Sequence, residues 1–339
     1  MSIQALADSL GISISTVSRA LNGYTDVSAA TRARVMQAAK AMNYSPHPAA
    51  HRLATGKTGA IAIVNATRDG RSVDSSMAAL HLAVSETLRI EGYFTLSLVL
   101  AGGDQELVEL DRLIAGRLVD GMVLTRTRTL DARVQCLQEQ KIPFVTYGRT
   151  LDNAPHAWVD TDYEQGIYSA MQTLISRGHR RIALINGMAH MTFASLIERG
   201  MHQARLEAQL ASQDCPVHYT DLTGTAGLHA TRQMLQNATP PTAFICASDA
   251  LALGAYAAAR EHGLQVGSDV SIIGFGNTEA GQLAQPPLAS ISHDLLAHGQ
   301  QVAKLLLSVI AGQHPMDLHA LHSADLTSRP SIGDAPKRE

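Results

Sequence analysis

Aromatic residues make up only 4% of this 339-residue chain, and cysteine is rarer still, with three in all. Cys136, Cys215 and Cys246 are odd in number and far apart. That excludes a disulfide framework and the close thiol pairing of a zinc site, and leaves buried or incidental thiols. No apolar run approaches the roughly 20 residues of a membrane span. The opening MSIQALADSL has no basic n-region and no apolar h-region closed by small residues, so a secretory signal is not expected and a cytoplasmic location is. Net charge is small too, with 27 basic against 30 acidic residues. Aliphatic and small residues dominate: 45% hydrophobic residues and 26 glycines suit a soluble α/β protein rather than a disordered chain. At this length more than one hydrophobic core is expected.

The small net charge hides an asymmetry. Residues 1–57 carry Arg19, Arg32, Arg34, Lys40, Arg52 and Lys57 against Asp8 and Asp26, a local net of +4 that leaves −7 for the remainder. A basic head on an acidic body suggests a nucleic-acid-binding module joined to another domain.

Within that head, Ile3, Leu6, Ala7 and Leu10 recur at helical spacing, and Gly11 follows as a helix-ending residue. Ser13 is placed to cap a second helix with Ile14, Val17 and Leu21 on one face, and Asn22-Gly23 breaks it. A third helix, capped by Ser28, runs to about Asn43 with Val35, Ala38, Ala39 and Met42 on its inner stripe. Two short helices around a tight glycine turn, with a third in support, describe a helix-turn-helix. The polar face of the second helix offers an arginine for guanine and small hydroxyls for phosphates or base edges.

From Gly59 onward β-rich runs alternate with helical stretches. AIAIVN, FTLSLVL, DGMVL and IPFVTY are separated by helices near 76–91, 104–116 and 130–140; RIALIN, VHYT, AFICA and VSIIGF repeat the rhythm. Such alternation predicts parallel sheets covered on both faces, with more units than one sheet holds. The expected architecture is a small all-α helix-turn-helix domain plus an α/β core of two doubly wound parallel-sheet lobes, with ligand in a cleft beyond the strand ends.

The strings TVSRALNG and NYSP…RLATG, at their mutual distance, resemble the headpiece of the lac/gal repressor family of bacterial transcription regulators. Nearly the whole remainder resembles that family's effector core, which has a periplasmic binding protein-like fold, through VDGMVLTRTR, IPFVTYGRT, VDTDYEQG, SRGHRRIALING, CASDALALGAYAAAREHGLQVGSDVSIIGF and PPLASISHD. The resemblance implies a headpiece at 1–45, a hinge helix and linker at 46–57, a core at 58–330 and a tail at 331–339. Within the core it implies a first lobe of about 58–157 with 290–325 and a second of about 158–289. It further implies that Ile14, Ser15 and Arg19 set base preference, that Thr16, Ser18, Asn22 and Tyr44 hold phosphates, and that Leu53 wedges a central base step in the minor groove. His51 stands where the family usually has arginine. For the effector it points to Arg126, Arg149, Asp162, Ser248, Asp249, Asn277 and His293, polar groups suited to sugar hydroxyls. Two departures concern the same cleft. Gly276-Asn277 stands where many members have two aspartates, and an expected arginine falls on Ile197, with Arg199 two positions on as a substitute.

The function implied is a sequence-specific DNA-binding regulator, a repressor of carbohydrate-utilisation genes whose operator affinity responds to a sugar or glucoside; the alternative is a sugar-binding protein with no DNA role. Partners are then a pseudo-palindromic operator and a second copy of the chain, since the tail lacks the leucine heptads that would join dimers. No catalytic residue, cofactor, metal or membrane is expected. Gly274-Phe275-Gly276 continues to Glu279 rather than a third glycine, so it is not a dinucleotide fingerprint. Ser248, His293 and Asp294 lack a nucleophile elbow, and His47 and His51 flank Pro48 with no third metal ligand.

Overall fold

The computed structural model describes residues 2–21, 24–44, 57–67, 77–101, 104–152 and 154–337. The expected hinge helix and linker at 46–57, save its last residue, with His51 and Leu53, and the expected phosphate contact Asn22 lie outside the described residues. Backbone contacts divide the chain into two compact units. One holds the N-terminal helices up to Ala60 together with Leu113–Asp120, and the other holds Ile61–Arg112 and Gly121–Glu339.

In the first unit α1 (Ile3–Leu10), α2 (Ile14–Leu21) and α3 (Ala29–Ala41) are set by their end residues. Gly11 closes α1 at φ +64°, where a Cβ would be strained, and the Ser13 hydroxyl accepts the Thr16 amide at 3.1 Å to open α2. Ser28 likewise accepts the Thr31 amide at 3.2 Å. The small core is Leu6, Ala7, Val17, Ala20, Val35 and Ala39. Val17 and Ala20 carry the inward stripe of α2, while Ile14, in its first turn, is 41% exposed. In the same unit the Asp120 carboxylate receives the backbone N–H groups of Thr58 and Gly59 at 2.7 and 2.8 Å, fixing the chain just ahead of the first strand.

The larger unit contains two six-stranded sheets. The first comprises β1 (Ala60–Thr67), β2 (Phe94–Ala101), β3 (Gly121–Leu124), β4 (Phe144–Tyr147), β5 (Ala157–Thr161) and β11 (His319–His322), in the order β11-β5-β4-β3-β1-β2. The second comprises β6 (Ile182–Asn186), β7 (Val217–Tyr219), β8 (Ala243–Cys246), β9 (Ser271–Phe275), β10 (Ala289–Ser292) and β12 (Asp325–Thr327), in the order β12-β10-β9-β8-β6-β7. Only β12 among the registered pairs runs antiparallel. Both sheets are doubly wound, as the sequence rhythm implied, and both have a switch point where the first and third strands lie side by side.

Intervening helices cover the faces: α4 (Ala78–Ile90), α5 (Asp104–Ala115), α6 (Ala132–Glu139) and α12 (Leu295–Ile310) in the first lobe, and α7 (Tyr163–Ser176), α8 (Thr192–Glu207), α9 (Gly224–Leu235), α10 (Asp249–Glu261) and the short α11 (Glu279–Gln282) in the second. Their apolar sides and the strands make two separate cores, one around Ile61, Leu80, Val123, Val145 and Leu306, the other around Ile167, Leu184, Phe244, Ile273 and Ile291. The chain exchanges lobes at 161–163, 292–295 and 322–325, where the sequence reading placed edges at 157/158 and 289/290. Ser331 and Ile332 are buried in the second lobe, with the Ser331 hydroxyl donating to Ile272 O at 2.7 Å. No helix among the described residues is long and apolar enough to cross a membrane.

Candidate functional site

On the first unit, α2 presents Ile14, Ser15 and Arg19 to solvent, while Thr16 and Ser18 are half-buried at its base. Arg19 is half exposed; its guanidinium is ion-paired with Asp26 and lies 5.6 Å from the Tyr24 ring. Tyr44 is half-buried beyond α3 and packs on the small helical core. The helix is thus an exposed, rigidly capped face bearing one arginine, an isoleucine and hydroxyls, which suits reading base edges in a groove.

In the larger unit, a cleft of about 750 Å³ including its open mouth lies between the two sheets. Its lining residues sit at or just past the carboxyl ends of strands: Arg126 and Thr127 after β3, Tyr147 and Gly148 at β4, Asp160 at β5, Thr192 and Phe193 after β6, Leu222 after β7, Ala247 and Ser248 after β8, Phe275 and Gly276 at β9, and His293 after β10. Tyr163 and Met77 complete the lining. Tyr163 stacks on Phe275 at 5.2 Å and tilts against Phe193 at 6.0 Å, giving one apolar aromatic wall.

The rest of the lining is largely polar. Asp160 is 1% exposed, takes the Thr161 amide at 2.8 Å, and lies 3.4 Å from Arg149 Nε. Burial pushes its carboxyl up to about 6 against the pull of the Arg149 charge and the Thr161 and Arg149 amides. Tyr147 holds its hydroxyl 3.3 Å from Thr161 Oγ1 and 3.2 Å from His298 Nδ1, and burial pushes its phenol up. His293 packs edge-on to Phe275 at 5.2 Å. Arg126 adopts φ +53°, a conformation disfavoured for a side chain with a Cβ, and its carbonyl is held by Arg133 Nη2 at 3.1 Å. The Thr192 hydroxyl is buried with no hydrogen-bond partner among the described residues. The cleft therefore combines an aromatic face with convergent polar groups of both signs, suited to a polyhydroxylated ring with polar edges and apolar C–H faces.

The residues expected from sequence divide in two. Arg126, Ser248 and His293 line the cleft, and Arg149 grips Asp160 from behind while its guanidinium lies 5.9 Å from the Trp158 ring. The others have partners elsewhere. Asp162 caps α7 by accepting the Gln165 amide at 3.1 Å. Asp249 is buried and takes the Thr278 amide at 2.6 Å and the Ser290 hydroxyl at 2.6 Å. Asn277, at φ +51°, accepts from Arg329 at 2.6 Å. Arg199 is 57% exposed, 3.7 Å from Glu164, in an open groove on α8. Ile197 is fully buried in the second-lobe core, so it contributes nothing to the cleft. Gly276 does line it, at φ +118°. Sequence reading missed Asp160, Tyr147, Tyr163, Thr192, Phe193 and Phe275. For four of them the available signal was position, since Tyr147, Asp160, Tyr163 and Phe275 are at or within two residues of a strand's carboxyl end; Thr192 and Phe193 instead open α8, well past β6.

Residues 2–47 match the family described as bacterial regulatory proteins, lacI family, and residues 171–332 match the periplasmic binding protein-like domain. The chain is 36% identical over 344 residues to the HTH-type transcriptional regulator AglR of Rhizobium meliloti (strain 1021), covering all of this chain and 96% of that one. Among solved structures, a complex of the transcriptional regulator CelR with cellobiose aligns over 98% of this chain and 99% of its own at 29% identity and a TM-score of 0.75. The lac repressor dimer bound to operator and the anti-inducer ONPF aligns over 98% of both chains at 25% identity and a TM-score of 0.83.

Proposed function

Because the chain belongs to the lacI family of bacterial regulatory proteins, and is accordingly a DNA-binding transcription regulator, we propose that it represses carbohydrate-utilisation genes as a cytoplasmic homodimer. Its operator grip is then changed by a neutral sugar or glucoside held in the interlobe cleft. The observation that carries the ligand half is the meeting of the Tyr163–Phe275–Phe193 wall with Asp160, Arg126, Thr192 and His293 at the strand ends. Mixed charge favours a neutral polyol over a phosphorylated one, and the aromatic wall favours a ring. The DNA half rests on the exposed face of α2, where Ile14, Ser15 and Arg19 would read bases and Thr16, Ser18 and Tyr44 would hold phosphates. Asn22, His51 and Leu53 keep the roles the family resemblance gives them. The role is binding, not catalysis. Closing the lobes around a ligand changes the spacing of the first lobes, and a coupling of about 1–3 kcal/mol would shift operator affinity about 5- to 150-fold.

The test is fluorescence-anisotropy binding of the full-length protein to pseudo-palindromic duplexes with a central CG step, repeated with a panel of sugars that includes cellobiose, maltose, trehalose and simple glucosides. Tight, salt-sensitive binding shifted by one sugar is expected. Sequence-independent binding with no response to any sugar would leave the headpiece and cleft readings without support.

A further inference from the structure

Among the described residues the two lobes pair through backbone at one place away from the three crossovers. The segment after β3 and the turn ahead of α8 run antiparallel there, with Arg128 opposite Met191. The Thr192 amide donates to Thr127 O at 3.0 Å, and the Thr129 amide donates to His190 O at 3.1 Å. This is a two-bond ladder, and it shares residues with the cleft, since Thr127 and Thr192 are both lining residues. The cleft is thus bounded by Asp160 and His293 near the crossovers and by the ladder at its other named rim.

The first-lobe strand of the ladder is held ready for pairing. Arg133 is fully buried and donates through Nη2 to Thr125 O at 3.2 Å, Arg126 O at 3.1 Å and Asp131 Oδ2 at 2.7 Å. Asp131 in turn accepts the Arg128 amide at 3.1 Å, and the Arg128 side chain reaches the buried Glu106 on α5 at 2.5 Å. Leu151 donates to Thr129 O at 3.0 Å. On the second lobe Thr192 is the first residue of α8, so its amide is one that no helical carbonyl satisfies. Two net backbone hydrogen bonds between preorganised partners bias the joined rim over the parted one by the order of 10- to 100-fold. That is enough to favour the joined rim while leaving the parted one populated.

We propose that this ladder is the gate of the interlobe cleft: ligand enters and leaves when the Thr192–Thr127 and Thr129–His190 bonds part, and the ladder sets the exchange rate. The inference rests on the cleft being a ligand site, but its first test does not. Thr192→Pro is the probing substitution. Proline is favoured at the first position of a helix, and Met191 at φ −80° and ψ 135° already has the extended backbone that a following proline requires. The change therefore removes the gate amide and spares the helix. Thr192→Val removes the hydroxyl and keeps the amide.

Hydrogen exchange of the full-length protein, read by mass spectrometry on peptides spanning 126–131, should show the Thr129 amide protected in the wild type and in Thr192→Val. In Thr192→Pro, which removes one of the two bonds, it should exchange about 3- to 10-fold faster, with the β3 and β6 amides unchanged. A Thr129 amide that exchanges at its unprotected rate in the wild type, or equally slowly in Thr192→Pro, overturns the gate whether or not any sugar binds. With the panel sugar that binds, stopped-flow mixing followed through Trp158, the single tryptophan, should give both faster association and faster dissociation for Thr192→Pro. Unchanged rates there also overturn the gate, and they leave the cleft reading standing.

Discussion

Asp160 sits in the cleft at a cost to the fold. Its folded value of about 6 lies above the ordinary 3.8, so between those values the folded chain binds more protons than the unfolded one and stability falls as pH rises. The gap corresponds to about 3 kcal/mol of stability lost by neutral pH. His298 acts in the opposite direction. Burial, then its neighbours His322 and His293, pull it down to about 3 from 6.5, so stability is lost as pH falls through that window. Asp160→Asn keeps an oxygen for the Thr161 amide and abolishes the carboxyl titration. It should therefore stabilise the protein by up to about 3 kcal/mol at pH 7 and by little at pH 4, while weakening sugar binding. Urea unfolding across pH 4–7 checks this; curves that run parallel for the two proteins would refute it. Arg19 presents the reverse case. It is 51% exposed and pairs with a 49% exposed Asp26, so Arg19→Ala should change stability by less than about 0.5 kcal/mol. It should cost about 1–3 kcal/mol of operator binding and flatten the preference at one base position, as read by anisotropy against single-base operator variants.

Among the elements, what sequence revealed and what it hid follow from where the signals lie. The helices of the first unit were legible because their ends carry chemistry: Gly11, Ser13 and Ser28 each fix a terminus on their own. The strands were legible as short apolar runs. The cleft was half legible, because a polar residue at a strand end has two possible uses and sequence does not separate them. In VDTD, Asp160 is still in β5 and faces the ligand space, whereas Asp162 is already past the strand and caps α7. In ASD, Ser248 lines the cleft, whereas Asp249 ties α10 to β10 and the start of α11. The segment between β3 and α6 was legible only in Arg126, since its shape depends on an arginine inside the protein. Burial pushes the Asp131 carboxyl up, yet the Arg133 hydrogen bond and charge, with Arg128, hold it below the ordinary carboxylate value. Arg133→Met would remove the fully buried one of the two cations that Asp131 and Glu106 share and leave only the partly exposed Arg128, and should destabilise the protein by about 3–5 kcal/mol. A loss under about 1 kcal/mol in thermal or urea unfolding would show that the network is not what pins this segment.

At the scale of the whole molecule, a regulator with one recognition helix per chain needs a second copy to read a pseudo-palindrome. The first lobe offers a surface for it. β2 is the edge strand of its sheet and eight residues long, and Phe94, Leu96 and Val99 along it are 76%, 42% and 50% exposed. Leu82 and Ile90 on α4 are also exposed, at 54% and 76%. A long apolar edge left open to water invites pairing with other chains, and a dimer partner removes it. Phe94 and Leu96 share a face by strand alternation, so Phe94→Glu with Leu96→Glu places two charges on that face without touching either core. Under the proposed homodimer, the wild type should sediment as a dimer and the double variant, at the same concentration, as a folded monomer. Its operator affinity should fall steeply, and the slope of log affinity against log salt should drop to about half, because a lone headpiece neutralises half the phosphates. A variant that still sediments as a dimer would move the interface elsewhere. A monomer that keeps full operator affinity and full salt slope would mean that two-fold reading is not how this chain grips DNA.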